Sequence, residues 1–91
     1  MSVRVRVPTQ LRSLAGGASE VMVEGATVGE ILGALETAHP GFHGRLFDDG
    51  GQLRQFVNVF VADEDVRFLD GLETPVDDGK TVSIIPAVAG G

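Results

Sequence analysis

At 91 residues the chain has room for one domain with a single modest core. It contains no cysteine, which excludes disulfides and thiolate chemistry of its own and suits the cytoplasm. Its 13 acidic residues against 7 basic ones give a net charge of −6, the wrong sign for direct nucleic-acid binding, whereas a protein partner with a basic surface fits. No apolar stretch approaches the length of a membrane span, and the first residues lack the apolar block of a secretory signal.

Val3, Val5 and Val7 alternate with Arg4 and Arg6, the period of a half-buried strand. Pro8 ends it, Gly16-Gly17 marks a turn, and a second strand over 19–23 completes a hairpin. The period then changes. Val28, Ile31, Leu32 and Leu35 form one apolar face of a helix over 27–38, opened by a capping box of Thr27 and Glu30 and stopped by Pro40-Gly41. Gly29 and Gly33 weaken this helix and allow close approach to a sheet. From His39 to Gln55 the pattern is irregular: Phe42, Leu46 and Phe47 anchor a loop or a short turn, and Asp48-Asp49-Gly50-Gly51 is a turn signal. The run 56–61 is apolar on both faces except at Asn58, so it reads as a central strand. Asp63-Glu64-Asp65 reads as a tight acidic turn, 66–68 as a brief edge strand, 71–75 as a connecting turn, and 80–85 as the last strand.

Strands grouped around one helix make an α+β layer arrangement. Val3, Val5, Val7, Val21, Val23, Val57, Val59, Val61, Val82 and Ile84 would face the helix. Arg4, Arg6, Phe56, Phe60, Ser83 and Ile85 would share the opposite, partly open face, a candidate protein-docking surface unless the 39–55 segment folds over it.

Catalytic constellations are hard to find. His39 and His43 are four apart, but Pro40 and Gly41 break the helical turn that would align them on a metal. Asp63, Glu64 and Asp65 lack the ligand spacing and internal glycine of a calcium loop. Gly16, Gly17, Gly29 and Gly33 match neither a phosphate loop nor a dinucleotide fingerprint, and no serine has an evident histidine–acid partnership. The chain is expected to bind no cofactor or metal and to catalyse nothing by itself.

Chemistry concentrates instead at the last residues. Gly90-Gly91 follow a strand-like run ending in Ile84-Ile85-Pro86 and the small apolar Ala87-Val88-Ala89. Lacking Cβ atoms, a diglycine can thread a channel that side chains would block. A free carboxylate resists attack at its carbonyl, so an enzyme working there must first install a good leaving group and then stabilise the developing charge with fixed donors.

This tail, the opening VRVRVPTQLR, the middle segment FVNVFVADEDVRFLDGLET and the closing VSIIPAVAGG resemble the ubiquitin-like β-grasp sulfur carriers, the family of MoaD and ThiS, and within it the actinobacterial carriers of cysteine biosynthesis. The resemblance spans essentially the whole chain. It implies one β-grasp domain over 1–91, a mixed sheet on one main helix, with 86–91 as a flexible reactive tail. An E1-like enzyme would adenylate the Gly91 carboxylate with ATP, and sulfur transfer would convert it to a thiocarboxylate. That sulfur would attack an aminoacrylate held on a PLP-dependent cysteine synthase, and a zinc metalloprotease would release cysteine and regenerate Gly91. ATP, PLP and zinc would thus belong to the partners. Gly90 would give clearance, Ala87, Val88 and Ala89 would lie in the enzyme's channel, Pro86 would limit slack at the exit, and Phe56, Phe60 and Ile85 would supply docking area. No maturation cut would be needed, and the free carrier would be a monomer. Within the family, a molybdopterin-synthase small subunit or a thiamin-pathway carrier uses the same terminus, as do sulfur transfer to tRNA and attachment to lysines. Outside it, the alternative is a non-catalytic ubiquitin-like binding domain with an idle tail.

Overall fold

Alternating valines set the first strand, and the pairing of its neighbours follows from where their valines must go. In the computed structural model, which describes residues 2–42, 44–54 and 57–86 (of Pro86, the backbone), β1 (Ser2–Arg6) pairs antiparallel with β2 (Glu20–Glu24), setting Val3 opposite Val23 and Val5 opposite Val21. On its other side β1 runs parallel to β5 (Thr81–Pro86), with Val5 opposite Val82. The strand β3 (Val57–Val61) lies antiparallel to β5, with Val59 opposite Ile84, and the two-residue β4 (Glu64–Asp65) pairs with the end of β3. The mixed sheet has the order β2-β1-β5-β3-β4. Because a strand's side chains alternate, these registers collect Val3, Val5, Val23, Val57, Val59, Val82 and Ile84 on one face, all buried, with Val21 and Val61 half-buried at its margin.

Against that face packs α1 (Val28–Ala38), which buries Val28, Ile31, Leu32 and Leu35. The Thr27 side chain accepts a hydrogen bond from the Glu30 N–H at 3.3 Å, and the Glu30 carboxylate reaches back to the Ala26 N–H at 2.9 Å. This is the expected capping box, with its return bond one residue earlier than usual. Fully buried Phe42 and Leu46 belong to the same core cluster, so the apolar side chains of the segment after α1 go to the helix side and do not cover the outer sheet face.

Several sequence expectations need correction. β5, not the 56–61 run, holds the centre of the sheet, and β3 is flanked on its far side by only two residues. The brief edge strand is Glu64–Asp65, read from sequence as part of a turn, whereas Val66–Phe68 is a 3-10 turn. The bend occurs one step earlier, at Ala62 and Asp63, whose φ values of 48° and 75° make a two-residue hairpin connection. A Cβ on Gly29 would lie 3.1 Å from the Leu72 carbonyl oxygen, so this glycine admits the 71–75 connection rather than a sheet, while Gly33 has nothing within 4 Å. Finally, Thr9–Ala15, passed over as part of a loop, forms a 3-10 helix that buries Ala15.

Candidate functional site

The outer face of the sheet is built by the same registers that build the core. Glu20, Arg6, Ser83, Phe60 and Asp65 are successive cross-strand neighbours, forming one row across all five strands. A second row runs Met22, Arg4, Thr81, and a third pairs Ile85 with Asn58. Phe60 is half-buried within its row, Ile85 is 49% exposed and Met22 is 58% exposed. The Arg4–Glu20 ion pair, 3.5 Å and about half exposed on both sides, contributes little to stability but keeps a charge at the rim.

Toward the end of β5 this face opens into a groove of about 410 Å³, with Arg6, Pro8, Arg12, Ser83 and Ile85 in its walls. Pro8 ends β1 beside β5, and the 3-10 helix that follows carries Arg12 to the groove, where its Nε donates to the Val7 carbonyl at 3.2 Å. On the opposite side of β5, Val57 is the register partner of Pro86. The last described backbone of the chain is therefore flanked by a groove with two arginines on one side and β3 on the other.

Of the residues singled out from sequence, Phe60 and Ile85 stand together on this face, on neighbouring strands and one register step apart. Pro86 closes β5 in the strand ladder. Phe56, Ala87, Val88, Ala89, Gly90, Gly91 and His43 lie outside the described residues. Sequence reasoning missed three features. Met22 was legible in the alternation Glu20-Val21-Met22-Val23-Glu24, which opposes it to two inward valines. Arg12 reaches the groove through a 3-10 helix that has no clear periodic signal. Asn58, the apparent interruption of an apolar run, accepts a 2.6 Å hydrogen bond from the Arg67 guanidinium, a pairing between side chains nine residues apart. Among the described residues no group of three or more His, Cys, Asp or Glu is placed to hold a metal, and no helix is long and apolar enough to cross a membrane.

This strand order around one gripping helix, with a central strand running out to a diglycine, is that of the ubiquitin-like β-grasp carriers. The chain belongs to the ThiS family, whose model matches residues 5–91. It is 47% identical to the sulfur carrier protein CysO of Mycobacterium tuberculosis over 93 aligned positions that cover both chains entirely. Small archaeal modifier protein 3 of Haloferax volcanii is also 47% identical, over 72% of this chain and 71% of its own length. Among solved structures, the BexX/CysO complex of Amycolatopsis orientalis contains a chain that superposes with a TM-score of 0.91 at 50% identity, covering 98% of this chain and 99% of that one.

Proposed function

We propose that this chain carries sulfur on the carboxylate of Gly91 and delivers it, as a thiocarboxylate, to cysteine biosynthesis. The observation that carries the reading is full-length similarity to the sulfur carrier protein CysO, joined to a family match that runs to Gly91 itself. The chain is a carrier on which other enzymes act, not an enzyme.

The chemistry requires little of the carrier beyond presentation. A Gly91 carboxylate oxygen attacks the α-phosphorus of ATP on an E1-like enzyme, pyrophosphate leaves, and hydrosulfide from a sulfur donor then displaces AMP from the acyl carbon. The resulting thiocarboxylate sulfur is softer and more nucleophilic than carboxylate oxygen. A PLP-dependent synthase would supply a three-carbon acceptor from O-phosphoserine with loss of phosphate, and the sulfur would add to its β-carbon. The thioester rearranges to an amide, and a zinc metalloprotease hydrolyses that amide to free cysteine and restore the carboxylate. Gly90 and Gly91 contribute the absence of Cβ atoms in a confined channel. Ala87, Val88 and Ala89 are small enough to follow them, and Phe56, Phe60, Ile85 and Pro86 supply docking area. All three enzymes work on cytoplasmic metabolites, and the carrier meets them as a monomer.

A second reading, attachment of Gly91 to amines of other proteins, is favoured by the likeness to an archaeal modifier protein, which covers less of the chain. Removal of Gly91 tests what both share. The truncated chain should keep its fold by circular dichroism yet support no ATP–pyrophosphate exchange with the adenylating enzyme. Exchange at the intact rate would contradict a reactive terminus. Analysis of the modified products then separates the two readings: free cysteine supports the first, and isopeptide-linked proteins without it support the second.

A further inference from the structure

Phe68 is 88% exposed, the most open large apolar side chain among the described residues, and Leu69 beside it is 40% exposed. One exposed apolar side chain is ordinary on a protein surface. Here two adjacent ones coincide with a rigid mount, a place beside the end of β5 and an acidic setting.

The mount is the 3-10 turn Val66–Phe68. Val66 is fully buried and fixes the turn from within. Arg67 fixes it from the flank: its N–H donates to Asp65 Oδ1 at 2.8 Å, and its guanidinium donates to Asn58 Oδ1 at 2.6 Å, to the Val57 carbonyl at 2.7 Å and to the Arg54 carbonyl at 3.0 Å. A turn held in this way presents Phe68 in a set orientation, so little further ordering is required when the ring is bound. The place follows from the same contacts, because Val57, whose carbonyl Arg67 grips, is the register partner of Pro86. The charge setting comes from residues 64–74, whose two 3-10 turns pack on each other and which hold Glu64, Asp65, Asp70 and Glu73 against Arg67 as the only cation. Arg67 turns its donors inward onto an amide and two carbonyls.

We propose that Phe68 and Leu69 are an anchor that enters an apolar pocket edged by Lys or Arg on the enzyme that adenylates Gly91. An aromatic ring on a rigid turn is the type of side chain that dominates interface energetics, and a carboxylate rim selects for basic surroundings and speeds encounter. This anchor lies at the β4 edge of the sheet and is separate from the groove of Arg6 and Arg12 on the other side of β5. It gives the enzyme a second hold on the carrier while the tail is inside. The inference rests on the carrier reading above.

The test is ATP–pyrophosphate exchange by the adenylating enzyme of the same cells, with the full-length chain as the varied substrate. Phe68→Ala should raise KM about tenfold with kcat within about twofold of wild type. Circular dichroism should not change, because the ring is solvent-exposed. The double variant Asp70→Asn, Glu73→Gln should raise KM at low ionic strength and flatten its dependence on salt. A wild-type KM for Phe68→Ala, in an assay that removal of Gly91 abolishes, would overturn the anchor and leave the carrier reading standing. Failure of the wild-type chain to support exchange would overturn both. Sedimentation showing that Phe68→Ala dissociates a self-associated wild-type chain would also overturn the proposal, since the occupant would then be a second copy.

Discussion

Ala62 and Asp63 adopt φ values of 48° and 75°, a region that L-residues enter only where the chain demands it. The demand here is a two-residue link between antiparallel strands, with Val61 opposite Glu64. Right-handed strand twist favours positive φ at both central residues, and Asn-Gly suits that geometry better than Ala-Asp. The double variant Ala62→Asn, Asp63→Gly is therefore expected to raise the unfolding free energy by about 1 kcal/mol, read from urea denaturation. A lower midpoint would contradict the assignment of strain to this turn. Thr27 stands at the other end of the residue scale, where local chemistry and tertiary need agree. Its hydroxyl serves the Glu30 N–H. Thr27→Ala should lower stability by about 1 kcal/mol in the same assay, and a neutral result would mean that water replaces the cap fully.

At the scale of elements, the segment after α1 decides how much of the outer face is free. Leu46 is fully buried in the helix-side cluster, so Leu46→Ala should lower stability by roughly 2–4 kcal/mol. A loss under about 0.5 kcal/mol would place that side chain elsewhere. Phe60 lies in the outer row between Ser83 and Asp65, and Phe60→Ser is expected to raise KM for the carrier in adenylation with the fold nearly intact. An unchanged KM would remove Phe60 from the docking face. These elements also show where sequence reading succeeds. The valine alternation of β1, the inward Val82 and Ile84 of β5 and the four apolar positions of α1 made both faces of the sheet legible, because burial selects one period at a time. The edge strand was not legible. Glu64 and Asp65 carry no apolar signal, and their strand geometry comes from pairing with Phe60 and Val61. The turn after it was misread because Val-Arg-Phe alternates like a strand, although Val66 is buried by the core and Arg67 is drawn to three acceptors on and before β3. Non-local contacts of this kind leave no period in the sequence.

At the scale of the whole molecule, the net charge of −6 conceals a division. Arg4, Arg6, Arg12 and Lys80, four of the seven cations, line grooves on the outer sheet face together with Glu20 and Asp63, while Glu64, Asp65, Asp70 and Glu73 leave the β4 edge acidic around Arg67. A groove rich in arginine and an acidic edge on opposite sides of β5 offer different partners different combinations of charge. The central claim, however, concerns Gly91 alone, and intact mass spectrometry of the protein from its own cells tests it most directly. The account predicts a species heavier by about 16 Da, one sulfur in place of one oxygen, localised to Gly91, and a second heavier by about 103 Da, one added cysteine residue. Only the unmodified mass, even after incubation with the adenylating enzyme, ATP and a sulfur donor, would contradict it.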